Sequence, residues 1–140
     1  MTLISNHIAL SSKRENDIID ITEDVKKILL GSKLKNGIVT LFVIGSTASI
    51  TTIEYEPGLK KDFPRMLERI ASKYNEYEHD NTWHDGNGHS HLRASLIGPS
   101  LTIPFYKREL SLGTWQQIVF LEMDIRPRNR KIIVQIIGEG

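Results

Sequence analysis

What most constrains the fold of this chain is a recurring pattern. Short, apolar, largely β-branched runs are cut by glycines and polar turns, and few stretches of helical spacing lie between them. Two runs stand out, "GIVTLFVIG" from Gly37 to Gly45 and "KIIVQII" from Lys131 to Ile137. Both are strand-length, and the second is apolar at nearly every position, which predicts a strand buried on both faces. "NHIALSSKRENDIIDIT", from Asn6 to Thr22, predicts two strands around a polar Ser-Ser-Lys-Arg turn. "ASITTIEYE", "SLTIPFY" and "LSLGTWQQIVFLEMD" add further strands, the last with a bend expected at Gly113.

Helical spacing is clear in two places. Thr22 is placed to act as an N-cap ahead of Glu23 and Asp24, with Val25, Ile28 and Leu29 on one face and Gly31 as the stop. Leu59, Phe63, Met66, Leu67 and Ile70 form a second apolar face. Pro64 fits that helix only if it lies in or near the first turn. A shorter helical stretch, "HLRASLIG", ends at Gly98. About two main helices among some eight strands is an α+β pattern, with the strands in two packed, β-sandwich-like sheets. No repeat or linker interrupts it, so residues 1–140 read as a single domain.

Composition then removes whole classes of function. The chain has no cysteine, which excludes disulfides, thiolate nucleophiles and Cys-bound zinc together. Any metal must be held by nitrogen and oxygen. A net charge of +1 gives no bulk attraction to nucleic acid or to an anionic membrane. No apolar run reaches the ~18 residues of a membrane span, and the N-terminus lacks a signal-peptide pattern. A cytoplasmic protein is the expectation.

Four of the five histidines, His79, His84, His89 and His91, fall inside "EHDNTWHDGNGHSH". Such a concentration predicts a metal or acid/base role. Neutral imidazole is a common zinc ligand, and three histidines with one open position make a catalytic geometry. Zinc is expected ahead of magnesium, which favours carboxylate oxygen. Asp80 and Asp85 are placed to accept the second ring proton and fix each tautomer. Spacing does not decide which histidines bind; His84 and His91 are the catalytic candidates. A solvated polar loop would carry the same residues.

A second polar cluster, Ser46, Thr47 and Ser49 with Thr51 and Thr52, sits beside Gly45. It can cradle a phosphate, or it can simply be the solvent face of a strand. Glu54 is a candidate acid, base or metal-water contact. In "LGTWQQI", Trp115 can stack on a planar ring and Gln116 can read its polar edge, although a core tryptophan is the plainer alternative. Arg126, with Arg128, Arg130 and Lys131, forms a basic turn suited to phosphate or to solvent alone.

"STASITTIEYEPG", "HDGNGHSHLRASLIG" and "SLTIPFYKRELSLGTWQQIVFLE" together resemble the YjbQ-like family of secondary thiamine-phosphate synthase enzymes, over nearly the whole chain. The resemblance implies an α+β fold with a β-sandwich-like core and a homotrimer with pockets between subunits. It also implies transfer of a hydroxymethylpyrimidine group from its diphosphate to a thiazole phosphate. On that reading Glu54, His84 and His91 are catalytic, and the histidine loop holds the metal. Ser46, Thr47, Ser49, Asn87, Thr114, Trp115, Gln116 and Arg126 bind the phosphorylated substrate. His79, His84, Asn87 and His91 match family positions. The family's histidine ahead of the Thr/Ser-Ala pair is Gly45 here, and its Asn-Glu-Asn reads Ile53, Glu54 and Tyr55. His89 is extra, which suggests that it replaces the missing histidine in space. The alternatives are a His-zinc hydrolase using Glu54 as base on a small phosphorylated substrate, and a non-catalytic metal- or anion-binding trimer.

Overall fold

The computed structural model describes residues 1–140. Eight strands and four helices follow in the order β1 (Thr2–Ser11), β2 (Ile18–Asp20), α1 (Thr22–Ser32), β3 (Asn36–Val43), β4 (Ala48–Ile53), α2 (Pro57–Ile70), α3 (Glu78–Trp83), α4 (Gly88–Ile97), β5 (Ser100–Tyr106), β6 (Glu109–Leu110), β7 (Gln117–Glu122) and β8 (Asn129–Glu139). All pairings are antiparallel. They build a five-stranded sheet, β1-β8-β3-β5-β6, and a three-stranded sheet, β2-β7-β4. The α+β class is as expected, although the helices number four rather than two. No helix is long and apolar enough to cross a membrane.

The main core fills the space between the two sheets. Val39, Leu41 and Val43 of β3 and Ile132, Val134 and Ile136 of β8 face Ile50, Ile118 and Phe120 from the smaller sheet, with Val25 and Leu29 of α1 closing one side. A second apolar cluster lies beyond the smaller sheet. There Val119 and Leu121 meet Leu67 of α2 and Ala94 of α4. Strand β7 is therefore covered on both faces. Strand β8, expected to be so, alternates buried and solvent-facing residues along most of its length, and β3 also turns its alternate residues outward. The continuous apolarity of β3 and β8 thus reflects apolar residues on the outer face as well, whereas the strand covered on both faces, β7, was not singled out.

Local signals also shift. Thr22 is the first residue of α1 rather than its cap; Asp20 Oδ1 accepts from Thr22 N and Thr22 Oγ1 at 2.9 and 2.6 Å. Gly31 lies within α1, and Lys33 supplies the left-handed end. Helix α2 begins at Pro57, with Glu56 accepting from Gly58 N and Leu59 N, so Pro64 sits two full turns in, beyond its expected place. The Lys107–Arg108 turn has positive φ at both residues, the geometry of a tight hairpin, and adds the short β6.

Candidate functional site

Strand β7 ends in "FLEMD", and there the apolar run gives way to acids. Glu122 is fully buried; its two oxygens accept from Arg130 Nε and Nη2 at 3.0 and 2.5 Å. The same carboxylate takes Ser12 Oγ at 2.7 Å and Asp124 N at 3.1 Å. Arg130 in turn donates to Thr47 O and Oγ1 at 3.2 and 2.9 Å. Two buried charges thus pair with one another, fill the carboxylate's acceptor positions and lock the start of β4 to the end of β7.

One turn further, Asp124 sits 1% exposed. It accepts from Ile125 N at 2.8 Å, Arg128 Nη1 at 2.6 Å, Thr47 Oγ1 at 3.2 Å and Asn87 Nδ2 at 3.4 Å. Burial pushes its carboxyl up, but these donors and the Arg128 charge outweigh it and hold it below the usual carboxylate range. Asp124, Asp85, Asn87, Ile125 and Arg126 line a polar hollow of about 190 Å³. Beside it, His79 on α3 and His91 on α4 pack with ring centroids 4.4 Å apart. Burial, and then the neighbouring His79, lower the His91 pKa against the opposing pull of Asp124, Asp85 and Asp80. A neutral imidazole is the result near pH 7. His79 Nδ1 and Asn87 Oδ1 are buried without a partner. Asp80 Oδ1 lies 3.7 Å from His79 Nδ1 and accepts Gly88 N at 2.8 Å, which fixes the start of α4.

The other expected site residues do not join this group. Residues two apart on a helix point about 200° from one another; His89 therefore faces the interior, with Nε2 2.5 Å from Glu15 Oε1, while His91 faces His79. His84 is exposed at the left-handed end of α3. No three His, Asp or Glu side chains converge on a metal-sized point, so the expected set of His79, His84, His89 and His91 is not gathered within one chain. The residues present do not fit a three-histidine zinc. Thr47 and Ser49 are buried, the latter donating to Ala94 O at 3.1 Å, so neither offers a phosphate cradle. Ser46 is exposed beside a separate shallow hollow with Ala94 and Pro99.

Glu54, Thr114, Trp115 and Gln116 lie at the opposite end of the smaller sheet. Ala48 pairs with Glu122 at one end of β4, and Ile53 with Gln117 at the other. Seven residues of extended chain, roughly 20 Å, separate Thr47 from Glu54. Gln116 Nε2 donates to Thr52 Oγ1 at 3.0 Å, and its Oε1 accepts from Gly113 N at 3.0 Å. Trp115 is 71% exposed rather than a core residue. Glu54 cannot act as base on anything held by His91 of the same chain, which removes the hydrolase arrangement within one chain.

The family model described as "UPF0047 protein YjbQ-like" matches residues 6–139. The chain belongs to this YjbQ-like family. It is similar to the UPF0047 protein of Methanothermobacter thermautotrophicus, 39% identical over 99% of this chain and 95% of that one. It is 32% identical to the UPF0047 protein YugU of Bacillus subtilis, over 94% and 97% of the two chains. A YbjQ-like protein of unknown function from Sulfolobus solfataricus has a crystal structure that superposes with a TM-score of 0.93 at 34% identity, covering 99% of both chains. None of these names carries an activity. Within the YjbQ-like frame, Gly45 has a local reason. Its φ is +130°, which strains any other residue, and a Cβ there would lie 2.7 Å from Arg130 Nη1, so a histidine would require the Arg130 guanidinium to shift. His89, bound to Glu15, is not beside it in any hydrogen-bonded group.

Sequence reasoning missed Asp124, Glu122 and the pairing roles of Arg128 and Arg130. The signal was present, since two acids closing an otherwise apolar strand need partners, and a cluster of arginines follows within a few residues.

Proposed function

We propose that the chain is an enzyme acting on a small phosphorylated substrate at the hollow beside His79 and His91, in the cytoplasm, and that copies assemble as a homotrimer to complete the site. One observation carries the reading: His79 Nδ1 and Asn87 Oδ1 are buried without partners beside an open polar hollow, next to a neutral imidazole. Buried polar atoms left unpaired cost about 1–3 kcal/mol each, so a site that keeps them there is built for something that binds. Arg126 on the rim supplies positive charge for a phosphate, and neutral imidazole supplies an N–H donor or a proton acceptor.

The reaction that the family resemblance suggests suits these parts. The C–O bond from the pyrimidine methylene to the diphosphate breaks, and its electron pair leaves with the diphosphate, held by Arg126. The thiazole nitrogen lone pair then forms the new C–N bond, giving thiamine phosphate as a thiazolium and free diphosphate. A flat aromatic wall is also needed, and Trp115 with Gln116 offers one, but at the far end of β4. A neighbouring copy supplying that end joins the two halves. The outer face of the five-stranded sheet supports assembly: Leu3, Ile137 and Ile38 form one cross-strand row and Ile133 with Phe42 another, and Phe42 is 46% exposed.

The test measures thiamine phosphate formed from the two phosphorylated precursors. His91→Ala and Trp115→Ala variants that remain folded should each lose about 100-fold in rate. Mixing the two in one assembly should restore roughly a quarter of the sites, since one intact half comes from each copy. A wild-type protein that binds both precursors and forms no product would sink the transferase reading.

A further inference from the structure

We infer that the chain carries a second anion site, for a small phosphate-bearing molecule, at the mouth of α2 and sharing no residue with the histidine hollow. Arg14, from the turn after β1, meets Lys60 and Lys61 of α2 around a hollow of about 330 Å³. These cations are far apart in sequence and converge only through the fold. Arg14, Lys60 and Lys61 form no ion pair, whereas Lys73, Arg93, Arg128 and Arg130 each do.

Of the nearby carboxylates, Glu15 is taken up by Lys73 and His89, and Asp17 and Glu56 are committed to backbone. Asp17, the one acid lining the hollow, accepts Lys13 N at 2.9 Å through Oδ2. Glu56 is occupied capping Gly58 N and Leu59 N. The lining therefore holds three cations against one acid, in a concavity, on a chain whose net charge is only +1. Unpaired like charges gathered in a hollow repel one another until an anion enters.

Two further groups prepare the place. Tyr55 is anchored by its hydroxyl, which donates to Ile18 O at 3.0 Å, and Lys60 Nζ rests 4.2 Å from the centre of its ring. The ammonium is thereby held over the hollow's wall rather than swinging freely. Asn16 lines the same hollow on backbone held at φ +63°, and its Oδ1, buried and unpartnered, is an acceptor that only a protonated phosphate oxygen could serve. A diphosphate, or a phosphate monoester of similar charge, fits inside the hollow and suits the three cations. A nucleic acid would need a longer basic track than one hollow provides.

The probe is inorganic diphosphate, titrated calorimetrically into the wild type, into Arg126→Ala, and into Lys60→Gln with Lys61→Gln. Arg126→Ala should retain this binding. The double lysine variant, which removes solvent-facing charges and should keep its circular dichroism and ligand-free Tm, should bind about tenfold more weakly and lose salt sensitivity. Equal affinity in the wild type and the double lysine variant overturns the site. So does loss of all binding in Arg126→Ala, which would place the anion in the histidine hollow alone.

Discussion

The buried Glu122–Arg130 pair allows a quantitative test of how the site is held. Glu122 is 0% and Arg130 6% exposed, and they meet at 3.0 and 2.5 Å. Arg130→Met leaves a buried carboxylate with only Ser12 Oγ and Asp124 N as donors. Glu122→Gln leaves a buried guanidinium with only Thr47 and a neutral amide. Removing one member of such a pair costs about 3–5 kcal/mol, chiefly because the other charge is stranded. For a chain of this size that is about 3 °C in Tm per kcal/mol, or roughly 10–15 °C for either variant. The double variant strands no charge, and a glutamine still serves Ser12 and Asp124, so it should lose no more than the worse single change. The coupling energy would then be about 3 kcal/mol. Urea unfolding followed by far-ultraviolet circular dichroism is the assay, at one fixed protein concentration because association shifts apparent stability. Fluorescence is a poor choice, since Trp83 and Trp115 are 67% and 71% exposed when folded. Additive losses in the double variant would refute the reasoning, because the two side chains would then act independently.

Two other expectations follow from the same structure. The His91 pKa is lowered on folding by burial and by His79, so the folded chain binds that proton less readily than the unfolded one. Its contribution to stability is complete above about pH 6.5 and is lost as pH falls through the folded value. A nuclear magnetic resonance titration should place the His91 midpoint below that of a free imidazole, with the acid limb of kcat/KM following it; a midpoint above it would remove the neutral-imidazole base. Phe42→Asp places a charge on the outer sheet face without touching the core, and should give a folded monomer by sedimentation. An intact trimer would remove that face as the interface.

How much of this was legible in the sequence depends on which interaction decides each residue. Alternation, turn residues and the α2 apolar face are local signals, and they gave the α+β class and most strands. Burial on both faces depends on what covers a strand: β7 lies between a sheet and two helices, whereas β8 has a neighbour on one face only. The histidine cluster was visible as a cluster, but its geometry was set by helices α3 and α4, which turn His89 inward and His91 outward. Thr47 and Arg130 looked like surface polar residues because their partners are 83 positions apart in the chain. No window of local sequence contains such a pair.

That last point bears on how the charged residues should be weighed. A net charge of +1 suggests an electrostatically bland molecule, yet the sum conceals a sorting. Glu122 with Arg130, Asp124 with Arg128, and Glu68 with Arg93 cancel one another in or near the interior. Those pairs fix backbone and leave little field outside. Most of the other cations are unpaired, and among them Arg126 lines the histidine hollow while Arg14, Lys60 and Lys61 line the hollow at the mouth of α2. It is the convergence of unpaired cations in one hollow, rather than their being unpaired, that favours an anion arriving from solution. An arginine run that is half structural clamp and half binding surface, as at residues 126–130, reads as a single basic turn until its partners are known.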